Sequence, residues 1–328
     1  GRDGAYFVGA GGGAHGGAGG NGETGYAGGD TYDSALNPTM FGSGGGLSGA
    51  YVGGTGGGAI RLTISNNFTL DGTISADGGL GTTDSYSWTP GGGAGGSIWI
   101  DTYTFHGSGN FSADGGDGRD GYKAGGGGSG GRIAVYYNLS TFIGVIQSSV
   151  TGGTGFDSAT DGDVGTLAFI DKDDDTMIIV EGWEFQAGDN RTLMTIHDGS
   201  LIRINTTKEI NVTTFNRSGT NMYITCYNTD FNLSLNVKND VNLSRSNIKN
   251  VGLNGNDCSN LFIYSGNDVF MNDTTIEVGN NVTINRTLQT STSYNNLSIT
   301  LQTHFVSRLT DKNLTLESST ITTTRPNF

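Results

Sequence analysis

The chain has 328 residues, of which 59 are glycine and 3 are proline, and only 15% of its residues are charged. The scarcity of proline and the lack of a strict Gly-X-Y period exclude collagen, and no apolar run approaches the ~18 residues of a membrane-spanning helix. The formal net charge of −14 disfavours nucleic acid as a partner. Because glycine and β-branched residues outnumber good helix formers, the composition predicts a soluble, acidic, all-β protein.

Glycine and asparagine divide the sequence into two regions. Residues 1–155 hold 49 of the 59 glycines, whereas residues 156–328 hold 24 of the 30 asparagines. We therefore predict a glycine-rich repeat region over 1–155 and an Asn/Thr-rich solenoid region over 156–328. No Pro- or Ser-rich linker separates them, so one continuous architecture is as compatible with the sequence as two domains. The first residue is Gly1 instead of an initiator Met, which indicates a processed protein or a fragment.

The glycine-rich region contains a repeat of about 37 residues. Ser75, Ser112 and Ser149 recur at that spacing, and each repeat opens with a Gly pair and a short β-rich stretch. The sequence Ser-Ala-Asp-Gly-Gly that starts at Ser75 is typical of a turn with positive φ. A fixed period of this size indicates a stacked solenoid, in which each unit buries its apolar face against its neighbours.

The glycine runs between these strands, for example 91–96 and 125–128, are long for simple turns. Oligoglycine forms a left-handed threefold helix of the polyproline type, and such helices can exchange backbone hydrogen bonds. The interspersed aromatic residues favour ordered packing of this kind over a flexible linker. Phosphate binding is disfavoured, because no Gly-Lys-Ser/Thr sequence opens a helix.

The segments 56–60, 95–100 and 130–136, with the Ser-Ala-Asp-Gly-Gly sequences, resemble the glycine-rich modules of adhesin-like extracellular surface proteins of bacteria and archaea. The resemblance covers roughly residues 1–175. It implies a parallel β-helix at the cell surface and carries no catalytic residue.

The second region alternates short strands with polar turns. Strands are predicted at 177–180, 201–204, 222–225, 261–264 and 299–301, without helical stretches between them. We predict an all-β fold throughout, a parallel β-helix (β-solenoid) with polyglycine-II-like loops in the N-terminal half. A β-sandwich is the competing architecture for the second region. A four-residue pattern also recurs here: Asn, an apolar residue, a residue with a hydroxyl group and a second apolar residue. This pattern resembles phrases found in β-helical adhesin-like proteins.

Asn-x-Ser/Thr triplets are about twice as frequent as the composition predicts. We expect several to carry N-glycans, which would place the chain outside the cytoplasm. The residue preferences of a β-helical repeat, with Asn in turns and Thr in strands, also produce such triplets. The 14 candidates are Asn67, Asn110, Asn138, Asn190, Asn205, Asn211, Asn216, Asn232, Asn242, Asn272, Asn281, Asn285, Asn296 and Asn313.

Two cysteines, Cys226 and Cys258, lie without metal-ligand spacing. In an oxidising setting they would bridge adjacent coils, and a pair of buried free thiols is the equal alternative.

No motif for catalysis, a metal or a cofactor stands out, and we expect no enzymatic activity. The acidic run 171–175 has oxygen ligands for Ca²⁺, but it lacks the Gly and Glu of an EF-hand loop, so an exposed turn is the preferred interpretation. A β-helical polysaccharide lyase or hydrolase remains a further alternative, since it requires only carboxylates and a basic group clustered in a groove.

The function predicted from these features is that of a secreted, glycosylated structural surface protein, a subunit of a filament or tape assembled end to end. A carbohydrate-binding adhesin is the alternative. The expected partners are further copies of the chain and N-linked glycans, with no nucleic acid and no transmembrane segment. The terminal segments 1–8 and 307–328 are the predicted contacts, and 320–324 is expected to form a strand that pairs with a neighbour.

Overall fold

The computed structural model describes residue 1, residues 8–82 and 88–184, and beyond these the backbone of strands between residues 191 and 323. The chain divides into two compact units. Unit 1 comprises residues 1–173 and 180–182, and unit 2 comprises residues 174–179 and 183–328. The division at 155/156 expected from composition stays a prediction about domains, although residues 156–173 belong to unit 1.

Unit 1 contains seven strands and one short 3₁₀ helix. Strands β1, β3, β5 and β7 form one parallel sheet in that order, with β6 beside β3, and β2 pairs with β4. The elements are β1 (Ala59–Thr69), β2 (Thr73–Ser75), β3 (Ser97–His106), β4 (Asn110–Ser112), β5 (Arg132–Tyr137), β6 (Leu139–Ser140), the 3₁₀ helix (Val145–Gln147) and β7 (Thr166–Asp171).

These strands stack as the coils of a parallel β-solenoid. The first coil runs over 59–82, the second over 97–118 and the third over 132–155. Their register aligns residues of equal position in the repeat, and Ser75 pairs with Ser112, which bridges to Ser149. The predicted 37-residue period is therefore confirmed as one coil of the solenoid.

Apolar residues on alternate positions fill the inside of the sheet. Ile98, Ile133 and Leu167 form one fully buried row across β3, β5 and β7. Beyond them, the ring of Phe105 lies 4.1 Å from that of Phe142 and 6.0 Å from that of Phe111, measured between centroids. The residues between these inward-facing positions, Trp99, Ala134 and Ala168, are buried as well, so both faces of the three strands are covered at this row.

The glycine runs form threefold extended helices that hydrogen-bond through their backbones. In segment 91–96, six consecutive N–H groups donate over 2.7–3.1 Å to three neighbouring segments in rotation. Gly91 and Ala94 donate to residues 46 and 43, and the acceptors for Gly92 and Gly95 are residues 126 and 129. Gly93 and Gly96 donate to residues 79 and 76. Each residue thus donates to a different segment from the residue before it, and every third residue donates to the same segment. This threefold rotation is the symmetry of polyglycine II.

Segment 126–131 has the same arrangement. Its N–H groups donate in rotation to 10–13, 160–163 and 113–116, again over 2.7–3.1 Å. The side-chain-free surface is required here, because a Cβ on Gly12 would lie 1.8 Å from the carbonyl oxygen of Gly127. Ordered polyglycine packing is therefore confirmed, and a flexible linker is excluded for these segments.

The interpretation of Ser-Ala-Asp-Gly-Gly as a turn is wrong. Segments 76–81 and 113–118 are extended members of the same lattice, and neither Asp77 nor Asp114 has positive φ. The neighbouring glycine helices supply acceptors for their N–H groups, so the backbone has no need to turn on itself.

Unit 2 is built of short parallel strands. One sheet has the order β8-β10-β12-β14-β17-β20-β23, with β15 joining β12 to β18, a second has β25-β22-β19-β16-β13-β11-β9, and β21 pairs with β24. The strands are β8 (Thr176–Ile179), β9 (Gly182–Glu184), β10 (Arg191–Ile196), β11 (Ser200–Ile204), β12 (Lys208–Arg217), β13 (Met222–Cys226), β14 (Asn232–Val237), β15 (Val241–Asn242), β16 (Asn247–Asn250), β17 (Asn260–Ser265), β18 (Val269–Phe270), β19 (Thr275–Val278), β20 (Asn281–Arg286), β21 (Thr292–Asn295), β22 (Ser298–Leu301), β23 (His304–Phe305), β24 (Leu314–Glu317) and β25 (Thr320–Thr323).

The strand pairs recorded within unit 2 are parallel, which confirms the β-helix and overturns the antiparallel β-sandwich for the strands that the structure describes. The register places asparagines of successive strands side by side. Asn260 pairs with Asn232 on one side and with Asn281 on the other. The predicted strand at 320–324 is confirmed as β25, which pairs with β22.

Candidate functional site

A seam of carboxylates joins successive coils of unit 1. Asp77 of the first coil accepts hydrogen bonds from the Ser112 hydroxyl, at 2.5 Å, and from the Asp114 N–H, at 2.8 Å. Asp114 of the second coil accepts in the same way from the Ser149 hydroxyl, at 2.5 Å, and from the Thr151 N–H, at 2.7 Å. Each coil therefore binds its successor through a side chain that recurs with the period of the repeat.

The seam lies where the glycine lattice ends. Exposed positions recur at every third residue in segments 76–81 and 150–155, and in segment 113–118 Asp114 is half-buried and Asp117 exposed, so one side of each segment has no further helix to accept its N–H groups. The carboxylates replace that missing neighbour, as when Asp117 accepts from the Thr154 N–H at 2.7 Å. A buried or half-buried donor without an acceptor is costly, and a charged acceptor is the strongest replacement.

The first coil presents an incompletely buried end. The inward-facing residues Ile60 and Leu62 of β1 are half-buried, whereas their register partners Ile98 and Ile100 in β3 are fully buried. Among the described residues β1 pairs with β3 alone. We call the surface formed by β1, β2 and segment 76–81 the first-coil end.

The edge of β1 away from β3, which no described strand pairs with, offers backbone groups in a defined row. The Gly58 carbonyl accepts from the Ser97 N–H at 2.9 Å, so Gly58 directs its backbone groups toward β3. Because these groups alternate along a strand, the N–H and C=O of Ala59, Arg61 and Thr63 point away from β3. The register breaks only after Ile64. Such a row is a template for another strand.

A loop over residues 30–41 crosses the outer face of the sheet. Ser97 donates its hydroxyl to the Met40 carbonyl at 2.6 Å, and Arg132, fully buried, donates to the Tyr32 carbonyl at 3.0 Å. Asp33 holds the loop from within, since it accepts from the N–H groups of Thr39 and Met40 at 2.8 and 2.9 Å. The Cα of Asp33 has φ of 68°, a left-handed conformation that Asp tolerates.

His15 lies beneath this loop in a polar cluster with Asp33 and Ser97. Its Nδ1 lies 3.0 Å from the Gly95 carbonyl and therefore carries the hydrogen. Both Asp33 and Ser97 approach Nε2, at 3.3 and 3.4 Å, whereas a catalytic triad places its acid and its nucleophile on different ring nitrogens. The cluster is fully buried at His15 and Ser97, so its geometry serves to fix the loop on the sheet.

The ionisation of this cluster follows from its burial. Desolvation, with the charge of Arg132, holds the pKa of His15 below its usual 6.5, and the opposing effect of Asp33 is smaller. Burial would raise the pKa of Asp33, but the backbone N–H groups of Met40, Thr39 and Ser34 hold that pKa below its usual value. Burial and Arg132 therefore act against a charge on His15, whereas the backbone N–H groups act in favour of the charge on Asp33.

The predicted glycosylation sites fall into three groups. Asn67, Asn110 and Asn138 have described side chains; Asn190, Asn205, Asn272, Asn296 and Asn313 lie outside the described residues. The others lie on strands of unit 2, namely Asn211, Asn216, Asn232, Asn242, Asn281 and Asn285. Asn67 is exposed on β1, whereas the Asn138 amide donates to Asp173 at 2.5 Å.

Folded protein is expected to accept a glycan at Asn67 more readily than at Asn138. The Asn138 Nδ2 must break its bond to Asp173 before it can react, and Asn67 is exposed beyond the register break of β1. Treatment of the folded chain with an oligosaccharyltransferase and glycopeptide mass spectrometry measures the two occupancies. Asp173→Ala should raise occupancy at Asn138 alone, and equal occupancy at both sites in the unaltered protein would contradict the expectation.

Several other predicted features are only partly visible. Cys258 lies outside the described residues, as do residues 2–7 and 324–328, so the disulfide and most of the predicted N-terminal contact stay predictions. The acidic run forms a turn between β7 and β8, in which residues 172–175 are exposed. The preference for an exposed turn at this position is confirmed.

No protein-family model, no curated protein and no solved structure matches this chain. In the parts that the structure describes, no helix has the length and hydropathy to cross a bilayer. Those same parts contain no group of three or more His, Cys, Asp or Glu side chains placed to hold a metal ion.

The first-coil end was missed by sequence reasoning, which selected the chain termini as contacts. The carboxylate seam was missed as well, although it had a signal in the sequence: Asp77 and Asp114 recur at 37 residues, and Thr151 takes the next position. An acidic residue is therefore present in the two coils that are followed by another glycine-rich coil.

Proposed function

We propose that the protein is a glycosylated extracellular structural subunit that assembles end to end through the first-coil end. The observation that carries the proposal is the half-buried state of Ile60 and Leu62 beside an edge of β1 that pairs with no described strand. A further strand would accept and donate hydrogen bonds there and remove apolar surface from water. The excess of Asn-x-Ser/Thr triplets supports the extracellular setting.

Strand β25 of a neighbouring copy is the proposed partner of β1. Among the described residues β25 pairs only with β22, and it ends its sheet. A contact between two different surfaces does not close on itself, so it propagates into a filament. The net charge of −14 opposes association, but screening over ~8 Å at physiological salt leaves short-range backbone pairing dominant.

Thr63→Pro is expected to abolish assembly while unit 1 stays folded. Proline removes an N–H that points away from β3, and it is tolerated at such edge positions. Thr63→Val is the matched control, because it keeps the N–H and the strand propensity. Particle length is measured by electron microscopy and light scattering at 0.15 M salt. A wild-type chain that stays monomeric, or a Thr63→Pro chain that forms filaments, would overturn the proposal.

Mixing two variants tests which strands meet. Deletion of residues 319–328 removes β25 but leaves the edge of β1 intact. Thr63→Pro blocks the edge of β1 but leaves β25 intact. Each variant alone should be monomeric, and their mixture should yield one-to-one dimers without longer species. If the deletion variant pairs with itself, the contact joins two β1 edges instead, and the filament model is wrong.

A further inference from the structure

The glycosylation candidates on described strands of unit 2 all belong to one of its two large sheets. We call these the β12 sheet, with β8, β10, β12, β14, β15, β17, β18, β20 and β23, and the β13 sheet, with β9, β11, β13, β16, β19, β22 and β25. The β12 sheet holds Asn211, Asn216, Asn232, Asn242, Asn281 and Asn285. On the described strands of the β13 sheet no asparagine begins an Asn-x-Ser/Thr triplet.

The register of the β12 sheet separates an apolar face from a polar face. One row across four strands is entirely apolar and consists of Ile210, Leu235, Ile263 and Ile284. The next residue of each strand gives a row of Asn211, Asn236, Tyr264 and Asn285. A second polar row contains Asn232, Asn260 and Asn281. Because successive residues of a strand alternate between faces, both asparagine rows lie on the face opposite the apolar row.

At two of these sites the hydroxyl residue of the triplet is placed on the same polar face. Ser234 follows Asn232 by two residues, and Thr283 follows Asn281 by two residues. The register joins Ser234 to Thr283 in one row through Phe262. A solenoid buries its apolar face within the coil, so only the polar face has room for a bulky glycan.

The register also keeps four candidates apart on this face. Asn232 and Asn281 lie on either side of β17, two strand spacings of ~4.8 Å from each other. Asn211 and Asn285 lie three strand spacings apart in their own row. Along β20, the four residues from Asn281 to Asn285 span ~13 Å. Each of the four asparagines therefore has space for its own glycan.

We propose that the polar face of the β12 sheet is the glycan-bearing face of unit 2, with N-glycans at Asn211, Asn232, Asn281 and Asn285. The inference rests on the proposed function, in which the protein is a glycosylated subunit, and it assigns the glycans to one sheet. The described strands of the β13 sheet stay free of glycan. Since β25 belongs to that sheet, the strand that pairs with β1 of the next copy carries none.

Asn216 and Asn242 compete for a single glycan. Phe215 pairs with Val241 in parallel strands, so the residues that follow them lie side by side at one strand spacing of ~4.8 Å. Two bulky glycans do not fit at that separation, and one molecule carries at most one glycan at this pair.

Glycopeptide mass spectrometry of the full chain from its own host tests the assignment. Glycan is expected at each of the four separated sites. Asn242→Gln should raise the occupancy at Asn216, because it removes the competing site. Asn285→Gln is the matched control and should leave the occupancy at Asn281 unchanged, since ~13 Å of strand divides the two.

The possible outcomes distinguish this inference from the proposed function. A chain without glycan at any site would overturn both. A glycosylated chain in which any of the four separated sites is empty would overturn the glycan-bearing face and leave the extracellular glycoprotein intact. Unchanged occupancy at Asn216 in Asn242→Gln, or an intact mass that requires glycans on both asparagines of the pair, would contradict the competition that the register predicts.

Discussion

Replacing Gly93 by alanine is expected to unfold the glycine-rich unit or to destabilise it by at least about 3 kcal/mol. A Cβ at this position would lie 2.1 Å from the Thr55 carbonyl oxygen and 2.5 Å from its carbon. These are backbone atoms of a segment that is itself bonded to its neighbours, so it cannot move aside. The lattice therefore loses several hydrogen bonds together instead of one contact.

Gly58→Ala is the matched control, because a Cβ there meets nothing within 4 Å and the backbone is outside the left-handed region. Its stability should equal that of the wild type or exceed it by up to ~1 kcal/mol, since alanine reduces the entropy of the unfolded chain. Thermal and urea unfolding, followed by circular dichroism, compare the two variants. If Gly93→Ala were as stable as Gly58→Ala, the close-packed lattice would be wrong.

Asp33→Ala is expected to release the loop over residues 30–41 at a cost of about 2–4 kcal/mol. The carboxylate accepts from the N–H groups of Ser34, Thr39 and Met40, and alanine leaves all three without that acceptor. Alanine is also strained at a φ of 68°, which the native residue tolerates. Both effects act on the loop, while the hydrogen bonds of β3 and β5 are unchanged.

Hydrogen exchange, resolved by peptide, measures this release. Protection should fall across 34–41 and persist in β3 and β5. Asp33→Asn separates the two causes, because asparagine tolerates the left-handed backbone and keeps one acceptor oxygen; it should lose clearly less protection than alanine. Unchanged protection of 34–41 in Asp33→Ala would show that the contacts of Ser97 and Arg132 alone hold the loop.

The repeat and the fold class were predictable because they depend on local pattern. The spacing of Ser75, Ser112 and Ser149 is the length of one coil, and the register places the three residues in one row. β-Propensity is also local, so the β-rich stretches after each glycine pair were recognised as strands. Polyglycine packing was predictable from composition, since only glycine permits backbones to approach so closely.

The partners of individual side chains were not predictable. Asp77 follows Ser75 in a sequence that reads locally as a turn, and its role as an acceptor for Asp114 depends on a segment 37 residues away. His15 and Arg132 are far apart in the chain, yet both lie at one loop. Glu181 carries no motif, and its pKa is set by burial and by Asp114.

Sequence thus established a glycine-rich, all-β solenoid with its period, because backbone sterics and β-propensity operate over a few residues. Which edge stays unpaired, which N–H groups need a carboxylate and which acid is buried depend on the stacking of coils. Stacking gives β3 a neighbour on both sides and β1 a described neighbour on one side only. Ile60 and Ile98 therefore occupy the same position in the repeat but differ in burial.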